Sequence, residues 1–359
     1  MPFYAGLKEY DRNTRLRAVD SLEALREQLE KEVPTRTGED TLLLATWNIR
    51  EFDSEKYGAR CPESLYLIAE ILDHFDLIAV QEVRADLGAL REVMSLLGRW
   101  WDVLYTDINY GRSGNDERMA FLFDTRKVGF SGLAGEVVLP GEKKNVVQLA
   151  RTPFICGFKC SWIAFDICTV HTYYGTAAPN EPRRLEEIRS LVETLASRAD
   201  AGDTPNVILL GDFNIFSRRD KTFKVLLDAG FRVPAQLTSL KKGSNVKQDK
   251  EYDQIAFLER KRRFVVKRAG IFNFYGSVFR DGDEAIWRPA MNDAKKYTDW
   301  RTYQMSDHLP MWVELAINHT EDYLKYLRAW TPKTPRWSDG TGGDAPKNRV
   351  SSQERRVKA

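Results

Sequence analysis

Polar and acidic side chains stand at several points of this sequence where an apolar, strand-like run ends. Asn48 follows LLLATW, and Glu82 follows LIAVQ. Asp212 and Asn214 follow VILLG, and Asp307 precedes HLPMWVEL. A single residue of this kind is more often structural than catalytic, but several strand ends converging on one crevice would form an oxygen-rich pocket that suits Mg²⁺. Cysteine is absent from these strand ends, which argues against zinc or iron–sulfur chemistry.

Two of the four histidines, His171 and His308, also stand at the ends of strand-like runs. A pair of imidazoles beside carboxylates suits general acid–base catalysis near neutral pH, because an acidic partner fixes the tautomer and favours the protonated ring. Glu117 and Asp253 are the candidate partners. The implied chemistry is in-line attack of water on phosphorus, which needs a base, an acid for the leaving oxygen and positive charge on the non-bridging oxygens.

The elements that must position these residues are mainly strands. The apolar patterns predict strands at 41–49, 76–83, 120–123, 154–158, 162–171, 206–210, 252–258 and 311–315, and helices at 13–33, 64–74 and 182–197. Asn13 is the predicted N-cap of the first helix, which Pro34 ends. Strands with helices between some of them indicate packed sheets flanked by helices.

Three regions fall outside this pattern. Residues 1–40 form a predicted N-terminal helical extension. Residues 259–304 are long for one connection and mix a basic run with aromatic residues, so we predict an insertion there. Residues 318–359 form a predicted C-terminal extension, in which Pro, Gly, Ser and charged residues replace apolar ones from about residue 331 and predict disorder.

Charge and composition exclude several classes of protein. The 359 residues include 54 Lys and Arg against 52 Asp and Glu, a net charge of +2, whereas a tight non-specific nucleic-acid clamp usually needs a strongly basic face. No secretory signal and no membrane-spanning stretch is recognised, so we expect a cytoplasmic monomer. The four cysteines are expected to be buried free thiols: Cys61, Cys156, Cys160 and Cys168.

The order of short motifs resembles the endonuclease/exonuclease/phosphatase superfamily and, within it, the deoxyribonuclease I branch. The motifs are WNIR (47–50), QEVR (81–84), GNDERMAFLF (114–123), ARTP (150–153), VH (170–171), GDFN (211–214), YDQI (252–255) and SDHLP (306–310). The resemblance covers residues 41–317. It implies an α+β catalytic domain, a four-layer α/β/β/α sandwich in which helices flank two packed mixed β-sheets.

The resemblance also implies roles for the residues that could hold a metal. Glu82 would be the principal metal ligand, with Asn48 beside it and Asp307 nearby. Asp212 and Asn214 would position the water or the phosphate, or share a second metal. The cofactor implied is Mg²⁺, with Mn²⁺ as a substitute and Ca²⁺ as a further candidate.

The two histidines would contact the scissile phosphate as acid and base. By the resemblance, Glu117 supports His171 and Asp253 supports His308. Three arginines match residues of the DNA-binding face or the phosphate pocket in the deoxyribonuclease I branch: Arg50, Arg84 and Arg151. The sequence therefore predicts a Mg²⁺-dependent phosphodiesterase, an endonuclease with DNA as its substrate.

Two other functions remain open at this stage. The branch carries an aromatic residue that packs against a sugar where this chain has Asn115, and the 259–304 segment lies close in sequence to Asp307 and His308. The missing aromatic and a net charge of −2 over residues 1–330 favour a phosphoesterase or phosphatase acting on a small-molecule or lipid phosphate, which the 259–304 segment could admit. A non-catalytic binding protein on the same scaffold is a third hypothesis, although neither Glu82 nor either histidine has been lost.

Overall fold

The structure is a computed structural model that describes residues 1–52, 54, 59–110, 114–139, 148–201, 206–260, 264–291, 294 and 296–330. The chain divides into two units, Met1–Asn318 and His319–Ala359. The predicted disorder from about residue 331 lies outside the described residues.

Eleven strands occur within the described ranges. They are β1 (Thr41–Phe52), β2 (Leu77–Arg84), β3 (Trp101–Tyr105), β4 (Glu117–Asp124), β5 (Gly129–Glu136), β6 (Phe154–Cys160), β7 (Ile163–His171), β8 (Asn206–Asp212), β9 (Asp253–Glu259), β10 (Val266–Ile271) and β11 (Met311–Ala316). They form a six-stranded sheet in the order β10-β11-β1-β2-β4-β3 and a five-stranded sheet in the order β5-β6-β7-β8-β9. Each sheet is mixed, because β1 and β2 are parallel in the first and β7 and β8 are parallel in the second, whereas the other neighbours are antiparallel.

The helices of the first unit are α1 (Arg12–Glu32), α2 (Pro62–Asp73), α3 (Gly88–Leu97), α4 (Pro182–Asp200), α5 (Lys221–Asp228), α6 (Ala235–Thr238), α7 (Glu284–Trp287) and α8 (Tyr297–Gln304), and the second unit contains α9 (Thr320–Ala329). The predicted N-cap of α1 was wrong by two residues. Asp11 caps this helix, since its carboxylate accepts hydrogen bonds from the backbone N–H groups of Asn13 and Thr14. The helix ends at Glu32, two residues before Pro34, as the restriction on residues that precede proline requires.

Alternation along β1 shows how the layers form. Leu42 and Leu44 belong to the core that the first sheet shares with the second, whereas Leu43 and Ala45 belong to the core that the first sheet shares with its helices. Successive side chains of a strand point to opposite faces, so this strand is buried on both sides. Helices α1, α2 and α3 cover the first sheet, and α4 and α5 cover the second. The predicted four-layer α/β/β/α sandwich is confirmed.

The segment 259–304 contributes to this sandwich. It contains β10, which pairs with β11 at the edge of the first sheet, followed by α7 and α8. Its aromatic residues are buried in the core on the helix side of that sheet: Phe272, Phe274, Tyr275, Trp287 and Trp300. The aromatic composition of the segment therefore reflects packing within the domain.

All four cysteines are buried and free, as predicted. Burial raises the pKa of the Cys61 thiol to about 12, so this sulfur stays protonated at neutral pH. None of the helices in the described part of the chain is long and apolar enough to cross a membrane.

Candidate active site

The ends of the parallel strands β1 and β2 place the first group of predicted residues side by side. Asn48 lies opposite Gln81 in the register of this pair, so Glu82 follows at the same edge of the sheet. Asn48 Nδ2 donates hydrogen bonds to Glu82 Oε1 at 2.9 Å and to Asp212 Oδ2 at 3.1 Å. The backbone N–H of Glu51 donates to Glu82 Oε2 at 2.7 Å. Asn48 therefore links carboxylates from the two sheets.

Three neighbouring strands of the second sheet supply the second group. His171 of β7 lies opposite Asp212 of β8, which in turn lies opposite Asp253 of β9. Asn214 follows β8 in the left-handed backbone region, at a φ of 51°, which asparagine tolerates better than most residues. Its backbone N–H donates to Asp212 Oδ1 at 2.8 Å, and its Nδ2 donates to the carbonyl oxygen of Thr172 at 2.9 Å. These contacts fix Asp212 at the end of its strand.

The two predicted histidines have the same arrangement around Asp212. Their Nε2 atoms lie 3.5 Å (His171) and 3.7 Å (His308) from the same oxygen, Asp212 Oδ2. On the other side of each ring, His171 Nδ1 donates to Glu117 Oε2 and His308 Nδ1 donates to Asp253 Oδ2, both at 2.9 Å. Both predicted partners therefore fix the tautomer and orientation of their rings.

The carboxylates also favour the protonated form of both rings. Burial and the charge of Arg151 oppose protonation of His171, but its carboxylate neighbours outweigh them and raise its pKa. Burial likewise opposes protonation of His308, yet Asp253 and Asp212 raise its pKa well above the ordinary value. Each ring can therefore hold a proton at Nε2 in this environment.

Ser306 anchors the loop that carries His308; it belongs to the SDHLP motif, but no role was predicted for it. Its hydroxyl donates to the carbonyl oxygen of Asn48 at 2.6 Å and accepts from the backbone N–H groups of His308 at 3.0 Å and Arg50 at 3.2 Å. Trp47 Nε1 donates to the carbonyl oxygen of His308 at 2.9 Å. The loop before β11 is therefore held against the end of β1.

Glu82 and Asn48 have the features of ligands for a hard divalent cation. Burial and the charge of Glu117 raise the pKa of Glu82. The positive charge close to Glu82 therefore does not compensate for burying its ionised carboxylate. Asn48 Oδ1 is buried and has no hydrogen-bond partner. A buried amide oxygen without a donor is costly unless it has a ligand. Carboxylate and amide oxygens are the donors that Mg²⁺ prefers, so this part of the site fits such an ion.

Two groups of three potential ligand atoms lie within 4.8 Å of one another in the described chain. They are Glu82 with Glu117 and His171, and Asp212 with Asp253 and His308. Glu117 is already occupied, because both of its oxygens accept hydrogen bonds from Arg151 and one also accepts from His171. Burial alone would raise the pKa of Glu117, but the charges of His171 and Arg151 lower it to about 2. We therefore regard Glu117 as a partner of His171 and not as a metal ligand.

The three predicted arginines occupy different positions. Arg50 and Arg151 line the pocket in front of the histidines. Arg84 is held behind it, where its guanidinium contacts Glu51 at 2.5 Å and donates to the backbone carbonyl of Asn115. The structure therefore brings two of the three arginines to the pocket surface.

The pocket has a volume of about 580 Å³. Nine of the predicted residues line it: Arg50, Glu82, Glu117, Arg151, His171, Asp212, Asn214, Asp307 and His308. Asn48 and Asp253 are buried behind these residues. Side chains outside the predicted set also line it, among them Tyr174, Lys247, Lys250 and Tyr252. The available signals were the four lysines between 241 and 250 and the position of Tyr252 directly before Asp253.

Comparisons with known proteins agree with this architecture. The profile described as the Endonuclease/Exonuclease/phosphatase family matches residues 45–282. Among curated proteins, no sequence matches the chain.

Similar solved structures come from several organisms. A mannosyl-6-phosphatase from Bacteroides thetaiotaomicron VPI-5482 has a TM-score of 0.54 and 18% identity, covering 76% of this chain and 99% of that one. The human Nocturnin catalytic domain with a bound sulfate anion has a TM-score of 0.53 and 15% identity, covering 77% and 94%. TDP2 from D. rerio, complexed with a single-strand DNA product, has a TM-score of 0.52 and 14% identity, covering 77% and 98%. Identities this low establish a shared fold and no more.

Proposed function

We propose that this chain, which belongs to the endonuclease/exonuclease/phosphatase family, is a metal-dependent phosphodiesterase that cleaves DNA. The observation that carries the proposal is the pair of carboxylate-bound histidines, whose Nε2 atoms lie 3.5 and 3.7 Å from one oxygen of Asp212. Hydrolysis of a phosphodiester needs one group that accepts a proton from water and another that donates a proton to the leaving oxygen. Two matched histidines on either side of one carboxylate supply both.

In this proposal the histidines exchange protons at Nε2 while their Nδ1 atoms stay bound. One ring accepts the proton of the attacking water, and the other donates a proton to the departing oxygen. Glu117 and Asp253 stabilise the imidazolium of His171 and His308 respectively, since both carboxylates are buried against the ring N–H. Asp212 orients the water or the phosphate between the rings.

Glu82 and Asn48, together with Asp307, are the residues that we propose hold Mg²⁺ or, as a substitute, Mn²⁺. Asp212 and Asn214 either position the substrate or contribute to a second ion. When bound, such an ion stabilises negative charge on the phosphoryl oxygens as a Lewis acid. The guanidinium of Arg151, which lines the pocket, adds fixed positive charge on the side of His171.

DNA as the substrate is supported by the basic residues of the pocket. Arg50, Arg151, Lys247 and Lys250 line it beside six carboxylates, so a phosphodiester chain has four cationic side chains to contact there. The test is nicking of supercoiled plasmid by the purified protein with Mg²⁺, beside the His171→Ala variant and an EDTA control. Nicking that needs both the metal and His171 would support the proposal, and cleavage of neither the plasmid nor a single-stranded oligodeoxynucleotide by folded, metal-loaded protein would contradict it.

A phosphoesterase acting on a small or lipid phosphate is the second candidate. The observation that favours it is the position of Arg84, which is bound to Glu51 and the Asn115 backbone and does not line the pocket. The dependence of the cleavage rate on salt concentration distinguishes the two functions. DNA cleavage should weaken steeply as salt rises, because the release of counterions from DNA then favours binding less. A small soluble ester should show a shallow dependence. Phosphorylated sugars, nucleotides and inositol lipids are the substrates to screen.

A further inference from the structure

A row of aromatic rings leads away from His308 along one wall of the pocket. The ring centroid of Tyr252 lies 5.6 Å from that of His308, with the two planes tilted by 30°. The Tyr174 centroid lies 6.2 Å from that of Tyr252, and both tyrosines line the pocket. The aromatic wall, which we define as Tyr174, Phe216 and Tyr252, therefore begins at one of the proposed proton-transfer groups.

Tyr174 carries the accessible ring of this wall. It is stacked on Phe216 with the planes 24° apart, yet it remains 42% exposed. Phe216 also meets Tyr252 edge-on, with centroids 5.3 Å apart. One face of the Tyr174 ring is thus backed by another ring, and this exposed residue borders the pocket. This is the arrangement of a stacking platform, on which a flat group gains contact area with little loss of side-chain freedom.

Buried polar contacts hold the wall in place. Arg184 of α4 is fully buried, donates to the carbonyl oxygen of Tyr174 at 2.8 Å and lies over the Phe216 ring at 5.2 Å from its centroid. Lys250 Nζ lies 5.5 Å from the centroid of Phe216. Cations close to aromatic rings are attracted by the ring quadrupole, so both charges favour this position of Phe216.

Positive charge lies beside the accessible ring. Lys247 is exposed, Lys250 is partly exposed, and both line the same pocket as Tyr174. Asp249, which also lines it, pairs with Lys250 at 3.8 Å, so two lysines face one carboxylate in this segment of the pocket lining. A ring for stacking together with lysines for phosphate is the combination by which proteins bind single-stranded nucleic acid.

From this juxtaposition we infer that the aromatic wall binds an unpaired base of the nucleotide next to the scissile phosphate, so that single-stranded DNA is the preferred substrate. The inference rests on the proposed function and specifies its substrate. A base within a duplex is stacked between its neighbours and would have to be extruded before it could reach Tyr174, which adds an energetic barrier of a few kcal/mol. A base in a single strand faces no such barrier.

The experiment compares a fluorescein-labelled single-stranded oligodeoxynucleotide with the same strand annealed to its complement. The wild-type protein should cleave the single strand with the higher kcat/KM. Tyr174→Ala should raise KM for the single strand about tenfold, with kcat changed less than about twofold, because stacking contributes to binding and not to proton transfer. Tyr174→Phe keeps the ring and should restore the wild-type KM. Trp162→Ala, an exposed aromatic at the opposite end of β7, is the matched control and should leave both constants unchanged.

Fluorescence anisotropy of the same oligonucleotides in EDTA provides a readout that does not depend on cleavage. Loss of single-strand binding in Tyr174→Ala, with retention in Tyr174→Phe, would support the inference. Equal cleavage of both substrates, or equal kinetics of Tyr174→Ala and wild type, would overturn it while phosphodiester hydrolysis stood. Binding that depends on Tyr174 without any cleavage would overturn the proposed hydrolysis and retain the binding site. If neither Tyr174-dependent binding nor cleavage were observed, both the inference and the proposed function would be overturned.

Discussion

At the scale of single residues, each of the main polar side chains of the site uses one atom to bind a buried partner and keeps another atom for a ligand in the pocket. His171 and His308 each use Nδ1 for a buried carboxylate and keep Nε2 near Asp212. Asn48 uses its amide nitrogen for two carboxylates, which leaves its oxygen without a partner. Groups held on one side and accessible to a ligand on the other are pre-organised, which is what catalysis by positioned acids and bases requires.

Replacing either histidine tests the acid–base roles. His171→Ala and His308→Ala should each lower kcat for phosphodiester hydrolysis by about 100-fold or more, because each removes one proton-transfer group. Initial rates of oligonucleotide and plasmid cleavage measure the effect, and circular dichroism checks the fold. His319→Ala, outside the first unit, is the matched control and should retain wild-type activity. Near-normal turnover in either site variant would exclude the role that we assign to that ring.

Glu82 should determine the affinity for the metal. Glu82→Gln keeps the size of the side chain and its acceptor for the Glu51 N–H but removes the negative charge. The midpoint of a Mg²⁺ titration should rise by about tenfold or more, because Mg²⁺ is bound by few carboxylates and each contributes strongly. Calorimetric titration of the protein with Mg²⁺ gives the affinity independently of activity.

Glu186→Gln supplies the control for that titration. Glu186 is an exposed carboxylate that pairs with Arg189 on α4, so its variant should bind Mg²⁺ as the wild type does. An unchanged midpoint in Glu82→Gln would show that Glu82 is not the principal ligand.

At the scale of elements, two pairs of parallel strands bring the polar ends together. The carboxyl ends of β1 and β2 carry Asn48 and Glu82, and those of β7 and β8 carry His171 and Asp212. Because parallel strands end at the same edge of a sheet, each pair concentrates its polar residues at one point. Packing of the two sheets then places both points at one pocket.

At Gly211 of β8, the neighbouring strand β7 lies too close for any side chain. Its φ is +129°, and a Cβ atom there would lie 2.2 Å from the carbonyl oxygen of Val170. Gly211→Ala should therefore displace β8 from β7, misplace Asp212 and lower the free energy of unfolding by about 3 kcal/mol through strain and steric conflict. Urea denaturation measures the loss of stability, and cleavage assays measure the loss of activity.

Gly132 provides a matched comparison for this substitution. It also has a positive φ, +99°, but a Cβ atom there would have no atom of the described residues within 4 Å. Gly132→Ala should lower the free energy of unfolding by only about 1 kcal/mol, because the positive φ alone is unfavourable for alanine. It should keep full activity. Equal destabilisation by the two alanines would show that contact with Val170 is not the cause.

At the scale of the whole molecule, the N-terminal segment is tied to the first sheet at the end away from the site. Arg36 precedes β1, donates from Nε to Asp76 Oδ1 at 2.8 Å and also binds Asp124 at the end of β4. Lys127 Nζ donates to Asp76 Oδ2 at 2.7 Å. This buried ion network joins residues that are far apart in sequence, and Arg36, Asp76 and Asp124 each have two oppositely charged partners in it.

The network predicts how stability depends on pH. Burial alone would raise the pKa of Asp124, but its hydrogen bonds with Arg126 and Arg36 lower it from 3.8 to about 2. Since the pKa is lower in the folded state, the carboxylate stabilises the protein fully above about pH 4, and this contribution is lost as the pH falls through about 2. Asp124→Asn should therefore cost on the order of 1 kcal/mol at neutral pH, because Arg126 is half exposed and partly screened by solvent.

Urea denaturation at about pH 7 and about pH 3 tests this prediction. The difference in free energy of unfolding between wild type and Asp124→Asn should shrink at the lower pH. At about pH 3 the Asp124 carboxyl is largely protonated in the unfolded chain, so folding has to release that proton. Asp102→Asn, at an exposed position in β3, is the control and should show no such dependence. A difference that stays constant between the two pH values would contradict the assigned cause.

The family and the layered fold could be predicted from the sequence, and so could most residues of the candidate site. Acids, amides and histidines at strand ends are local features, because a strand's apolar alternation and the polar residue after it are adjacent in the chain. Glu82, Asp212, His171 and His308 could be chosen on that basis, and the motif order placed them in the family that the profile match confirmed.

Which side chains share the pocket depends on the tertiary structure. Arg84 matched a motif as well as Arg151 did, yet packing binds it to Glu51 behind the pocket surface. Tyr174 and Lys247 belong to no motif, and they reach the pocket because separate loops converge there. The physical reason is that sequence patterns report the periodicity of one element, whereas contacts between loops depend on sheet register and on how the layers pack.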